Sequence, residues 1–279
     1  VSEPTFLRRK LGTKLRRLRE QAGLTLADAA PKLDKKRSAL HRVETGETKA
    51  DVHLVRSMMD LYDCYEPGLL DETRQALKPP WYWTYGIRKM GYVDAETEAV
   101  LVREFTMIDI PGLLQTEDYM RAQFAGGISR TELEMARDIK VRCIRQDRLI
   151  NADRPLEHVV VVHEIALHRE LGSRDVMREQ LRHLVEMSRL PNVTLQVVPL
   201  RQGTHHVPNG PFVLLSFPDP DDPDLLHVEY PTGSLQSEEP IQVQAARLLF
   251  DQVHTVALSP GDSAVPIQRL AAELYGPDM

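Results

Sequence analysis

The chain has 279 residues, 42% hydrophobic and 27% charged, with 35 Lys and Arg against 41 Asp and Glu for a net charge of −6. That length suits two domains at roughly 150 residues each. The charge density, and the lack of any apolar run near the ~20 residues of a bilayer span, argue against a membrane protein.

The stretch VSEPTFLRRK has no signal-peptide core, and Cys64 and Cys143 stand far apart in no ligand-like spacing. A cytoplasmic protein with two small, reduced core cysteines is expected. Charge is unevenly spread: residues 1–56 hold 14 Lys and Arg against 7 Asp and Glu, a balance of +7, and the remainder stands at −13. A basic head on an acidic body is the layout of a chain whose first module meets an anionic partner.

In chain order, Leu7, Leu11, Leu15 and Leu18 recur at helical spacing with Arg and Lys on the other faces, and Gly23 is a natural stop. Thr25 and Asp28 then resemble a capping box for a short helix, LADAAPKL. After a turn near Asp34, another short helix runs from about Arg37 to Glu44, with Thr45-Gly46 ending it. Asp51 can cap a fourth helix, VHLVRSMMDLY, and PGLLDETRQAL supplies a fifth with Pro67 in its first turn. The spacing thus predicts an all-α unit over residues 1–78.

LRRLREQAGLTLADAAPKL followed by RSALHRVETG resembles the helix-turn-helix domain of the lambda-repressor-like (Xre) transcription regulators. The resemblance implies that the third helix enters the major groove of double-stranded DNA. It places Arg37, Ser38 and Arg42 at base edges, and Thr25, Lys35, Lys36, His41 and Lys49 along the phosphate backbone. Leu40 and Val43 would face the core, and Arg19 and Glu44 would tie the first helix to the end of the third. Three departures from the family pattern stand out. Asp34-Lys35-Lys36 replaces the usual turn and cap, Pro31 lies inside the second helix, and Leu26 occupies a position that is commonly polar. Lys36 has no side-chain acceptor with which to cap a helix, whereas Asp34 tolerates a left-handed turn.

Residues 79–92 form an aromatic connector, because KPPWYWTYGIRKMGY gathers both tryptophans and three tyrosines in a turn-rich segment. It is expected to dock on the second domain or form an interface. Beyond it, Asp94 is placed to cap a helix AETEAVLVREF, Thr116 to cap a helix through Phe124, and Ser129 with Glu132 to cap a long helix ending near Ile150. HVVVV reads as a buried strand. A helix SRDVMREQLRHLVEMSRL and strands NVTLQVV, PFVLLSF and LLHVEY follow, the last two flanking PDPDDPD and so paired antiparallel. Helices near 241–257 and 263–275 complete an α+β domain over residues 93–279, with a small mixed or antiparallel sheet.

PGLLQTEDY, RQDRL, LPNVTLQVVP, GPFVLLSFPDPDDPDLLHVEY and GSL resemble the C-terminal domain DUF5753, which accompanies Xre modules in actinomycete regulators. The resemblance implies a regulator often accompanied by a small DUF397-type partner protein, and it supplies no catalytic mechanism.

Catalytic readings are weaker. The histidines of HEIALH are five apart, about 140° around a helix, and therefore diverge rather than share a zinc. His205 and His206 in GTHHVPNG lack neighbouring ligands, so no metal and no cofactor is expected. Glu238 and Glu239 in GSLQSEEP could serve a nucleotide-handling enzyme, or the domain could belong to a toxin/antitoxin-like component. Helix capping by this cluster is the simpler reading. The expectation is a non-enzymatic, cytoplasmic and nucleoid-associated homodimer that binds DNA. Its second domain would hold a small-molecule effector or partner on a surface of Trp81, Trp83, Tyr85, Gln115, His205 and Phe212.

Overall fold

A computed structural model describes residues 4–87, 91–126, 130–150, 153, 155–202 and 207–275. The chain divides into two compact units, Val1–Ala95 and Glu96–Met279.

The first unit carries the five expected helices: α1 (Phe6–Gln21), α2 (Leu26–Lys32), α3 (Arg37–Glu44), α4 (Val52–Tyr62) and α5 (Pro67–Leu77). Leu11, Leu15 and Leu18 of α1 meet Ala29, Leu40, Val43, Val55 and Leu69 in one core, with Leu7 half-buried at its margin. The local signals act as their chemistry dictates. Gly23 follows α1 with φ 69°, and the Thr25–Asp28 capping box closes in both directions, Thr25 N–H donating to the carboxylate at 3.0 Å and Asp28 N–H to the hydroxyl at 3.2 Å. Asp51 accepts the Leu54 N–H at 2.8 Å, and Pro67 occupies the first turn of α5. Pro31 lies inside α2 near its end, where Leu33 N–H still reaches the Ala29 carbonyl at 3.1 Å.

The aromatic connector groups with this first unit rather than with the second. Trp81–Tyr85 form a single 3₁₀ turn, with Trp81 edge-on to Tyr82 and Tyr85. Asp94 is not a helix cap of the expected kind, because it lies inside α6 (Gly91–Glu98). Its carboxylate instead accepts the Phe6 N–H at the start of α1 and bonds the Tyr82 hydroxyl. This supplies the acceptor that Thr5, the residue preceding α1, does not provide through its side chain.

The second unit is α+β. Its strands are β1 (Leu101–Thr106), β2 (Glu157–His163), β3 (Val193–Val198), β4 (Phe212–Ser216), β5 (Leu225–Tyr230) and β6 (Gly233–Ser237), in the order β3-β2-β1-β4-β5-β6. The sheet is mixed: β1, β2 and β3 run parallel, whereas β4 pairs antiparallel with both β1 and β5, and β6 pairs antiparallel with β5. The helices are α7 (Glu117–Ala125), α8 (Glu132–Ile150), α9 (Glu164–His168), α10 (Arg174–Met187), α11 (Pro240–Val256) and α12 (Pro260–Tyr275). Phe105, Val161, Leu214, Val243 and Phe250 form a core between α11 and the sheet.

Two local expectations change. LVREFT is the strand β1, in the middle of the sheet, and not the end of a helix. Its polar residues are satisfied across the ladder, Glu104 by His158 at 3.2 Å and Arg103 by Ser216 at 3.1 Å. Ser129 lies outside the described residues, and the reciprocal cap at the start of α8 is Thr131 with Glu134. GSLQS is the strand β6, and Ser237 accepts the Glu239 N–H just ahead of α11, at 3.1 Å.

Candidate nucleic-acid interface

The geometry of α1, α2 and α3 follows from one buried ion pair and two glycines. Arg19 donates from Nε to Glu44 Oε1 at 2.7 Å and from Nη2 to Oε2 at 2.9 Å, with both side chains buried. Its third nitrogen, Nη1, reaches the Leu24 carbonyl at 2.6 Å, so α1, the turn before α2 and the end of α3 are held by one guanidinium. A two-pronged carboxylate contact of this kind fixes direction as well as distance. Hydrogen bonding to Glu44 raises the Arg19 pKa above its ordinary value.

Gly12 and Gly46 allow the backbones to close. A Cβ at Gly12 would stand 2.6 Å from the Glu44 carbonyl oxygen, and one at Gly46, whose φ is 74°, would stand 2.8 Å from the Arg8 carbonyl oxygen. Arg8 reinforces the turn after α3 by donating to the Gly46 and Glu47 carbonyls, each at 2.6 Å. Sequence reasoning passed over Gly12 and Arg8. Gly12 looks like a weak spot in a helix, and Arg8 is one cation in a run, so neither carries a local signal of its distant partner.

With α3 so fixed, Leu40 and Val43 are buried and Arg37, Ser38, His41 and Arg42 are exposed. The turn before α3 works through Asp34, at φ 52°, and Lys36 leads into the helix without a side-chain cap. Ala39 and Leu40 N–H both turn back to the Lys36 carbonyl, while the Arg37 and Ser38 N–H groups make no hydrogen bond among the described residues. Open N–H groups at a helix start are donors for an anion.

Lys35, Lys36, Arg37, Arg42 and Lys49 are all exposed, and none makes an ion pair among the described residues. Elsewhere in the unit, by contrast, Arg16 pairs with Glu20 and Arg74 with Asp71. A cleft of about 680 Å³ beside α3 is lined by Arg16, Arg19, Thr25, Arg37, His41 and Thr45 among others. Thr25 is exposed, but its N–H and hydroxyl are both engaged by Asp28, whose pKa is lowered by those hydrogen bonds. A phosphate at this helix start would therefore meet the N–H groups that follow Thr25, and the Asp28 charge would oppose it.

The residues expected to form a second, ligand-holding surface are distributed over both units. Trp81, Trp83 and Tyr85 are half-buried in the first unit. Phe212 is a core residue of β4, its ring 6.1 Å from Phe105 and 6.5 Å from Phe250, because the inward register of β4 points it at α11. Gln115 is buried and bonded to the Ile110 carbonyl at 2.7 Å. His205 lies outside the described residues. Both cysteines are free thiols, each half-buried, and burial raises the Cys143 pKa.

Among the described residues, no cluster of three His, Cys, Asp or Glu could hold a metal, and no helix is long and apolar enough to cross a membrane. His163 precedes α9 and accepts the Ile165 N–H, whereas His168 sits one turn beyond Glu164, so the two histidines of HEIALH serve different neighbours.

Set against known families, residues 10–72 match a helix-turn-helix domain and residues 90–269 match the domain of unknown function DUF5753. No curated protein and no solved structure matches the chain. The longer match spans well over half of the sequence, and with the exposed, unpaired cations of α3 already in place the conclusion is direct: the chain belongs to the DUF5753 family and carries ahead of that domain the helix-turn-helix of a DNA-binding regulator.

Proposed function

We propose that α3 lies in the major groove of double-stranded DNA, with Arg37, Ser38 and Arg42 at base edges. Lys35, Lys36, His41, Lys49 and the start of α2 at Thr25 follow the phosphates. The observation that carries this reading is the set of exposed cations on and around α3 that have no acidic partner among the described residues. An arginine with a free fork is suited to the O6 and N7 acceptors of guanine, and lysines beside it supply sequence-independent attraction.

The regulator acts as a cytoplasmic, nucleoid-associated homodimer on half-sites about one helical turn, ~34 Å, apart. The second unit works without catalysis, as the binding site for a small-molecule effector or a DUF397-type partner protein. Such a ligand changes DNA affinity through its different affinity for two states of the regulator.

The test is selection of a duplex from a random pool, then anisotropy titration at several salt concentrations. Affinity for the selected duplex is expected to fall steeply with salt. Arg37→Ala and Arg42→Ala should each weaken it by about tenfold or more, while weakening binding to unrelated DNA much less. Unchanged binding in both variants would remove α3 as the reading helix.

A further inference from the structure

The most unusual cation in the second unit is Arg142, on α8. Its Nη1 donates to two carboxamide oxygens, Gln115 Oε1 and, at 3.0 Å, Gln123 Oε1. The guanidinium carbon lies 4.9 Å from the centre of the Phe124 ring, and that of Arg130 lies 4.6 Å from the same centre. Two cations therefore share one aromatic ring. Gln115 is itself locked: its Nε2 donates to the Ile110 carbonyl at 2.7 Å, and its backbone carbonyl accepts from Gln146 Nε2 at 2.7 Å. Neighbouring arginines are answered differently. Arg145 makes a two-pronged pair with Glu96, at 2.7 and 2.6 Å, and Arg130 stands 3.4 Å from Asp138.

Arg142 has no such carboxylate. Among the described residues its Nε and Nη2 make no hydrogen bond. Those two nitrogens form the side-on edge of the guanidinium, the one that receives both oxygens of a carboxylate or two oxygens of a phosphate. Burial, with a smaller contribution from Arg145, lowers the Arg142 pKa to about 10. That is the mark of a cation whose desolvation is not offset by a counter-charge. The acid that Arg142 senses most is Glu229 on β5, yet that exposed carboxylate bonds to His227 at 3.4 Å instead.

We propose that the Nε–Nη2 edge of Arg142 is a receptor for a small organic anion, a carboxylate or phosphate, held in place by Gln115, Gln123 and Phe124. The neutral amide oxygens fix the guanidinium without cancelling its charge, which leaves the full charge for a ligand. The site joins three stretches already prominent in the sequence: PGLLQTEDY supplies Gln115, the helix bearing RQDRL supplies Arg142, and LLHVEY supplies Glu229. It deepens the effector reading of the second unit, and it rests on that reading only for its consequence at DNA.

The experiment uses the full chain with ¹⁵N-labelled arginine and follows the arginine Nε–H resonances at constant ionic strength. Inorganic phosphate and acetate are titrated separately, with chloride as the compensating salt. One resonance, absent from Arg142→Lys, is expected to move and saturate with phosphate, acetate or both, and the tighter of the two identifies the ligand class. Glu229→Gln keeps a hydrogen-bonding oxygen for His227 and removes the competing charge, so it should tighten binding by about threefold. No saturable shift with either anion overturns the proposal, as does a shift that chloride reproduces. A resonance that responds to Glu229→Gln but to no added anion also overturns it, since Glu229 then occupies the edge. DNA affinity measured with and without the tighter anion separates the two readings. A saturable site with unchanged DNA affinity removes the effector role and leaves the receptor, whereas DNA binding without anion binding removes the receptor alone.

Discussion

Two acids of the first unit are compensated to different degrees by their surroundings. Glu44 is matched oxygen for nitrogen by Arg19. Removing either partner strands a charge away from water, so Arg19→Ala or Glu44→Ala should cost about 3–5 kcal/mol. The double replacement Arg19→Met with Glu44→Leu should recover most of that loss. Denaturant midpoints of the three variants provide the comparison. Asp94 has only partial compensation, and burial raises its pKa above its ordinary value despite the Phe6 N–H and Arg9. The folded chain therefore holds this proton more tightly than the unfolded chain does. The contribution of Asp94 to stability is greatest below the unfolded value and declines as pH rises through the raised one. Asp94→Asn keeps an acceptor for the Phe6 N–H and carries no charge. Its melting temperature should equal or exceed that of the parent at neutral pH, and its profile should be flatter as pH rises above the ordinary carboxylate value of about 4. A steeper profile in Asp94→Asn would contradict this account.

At the scale of elements, legibility follows the range of the interaction. Thr25 with Asp28, Asp51 with Leu54 and Thr116 with Tyr119 are cap contacts within three positions, and each was legible. So was the inward face of α3, because Leu40 and Val43 report their own helical period. The strand β1 was not, since Val102 and Phe105 fit a helical spacing as well as a strand, and the partners of Arg103 and Glu104 lie on β4 and β2. Phe212 was misplaced for a related reason: an aromatic beside a glycine and a proline reads as a surface, and only the register of β4 turns it inward. Gln115 was singled out without its partner Arg142, which lies on another helix. The contact between α1 and α3 gives a direct test of a non-local constraint. Gly12→Ala places a methyl against the Val43 and Glu44 carbonyls, at 2.7 and 2.6 Å. Although alanine favours helices, the variant should lose about 1–3 kcal/mol and bind DNA more weakly as α3 shifts. A variant as stable as the parent would mean that the helices separate without cost.

Over the whole molecule, residues 1–95 carry a charge of +5 and residues 96–279 carry −11. The acidic unit opposes the approach of any polyanion, an effect that reaches only about 10 Å at 0.1 M salt. A 1–95 fragment should therefore bind unrelated DNA more tightly than the full chain at low salt, and the difference should vanish as salt rises. Anisotropy titrations of both proteins check this, and a gap that persists at high salt would point to something other than charge. The sheet of the second unit also sets an order of events in time. Its first strand in sequence, β1, is a central one, and it is completed only by β2 from Glu157 and β4 from Phe212. Helix pairs such as α2 with α3 and α4 with α5 close through nearby contacts, which form fast, whereas pairings across long loops form slowly. During synthesis β1 must wait with both ladder edges bare until most of the chain has emerged, and such an edge is an invitation to foreign strands. Refolding should accordingly be biphasic, with the helical unit regained first and the slow phase worsening with protein concentration. In the cell, the helix-turn-helix unit would be complete while the acidic unit is still being made.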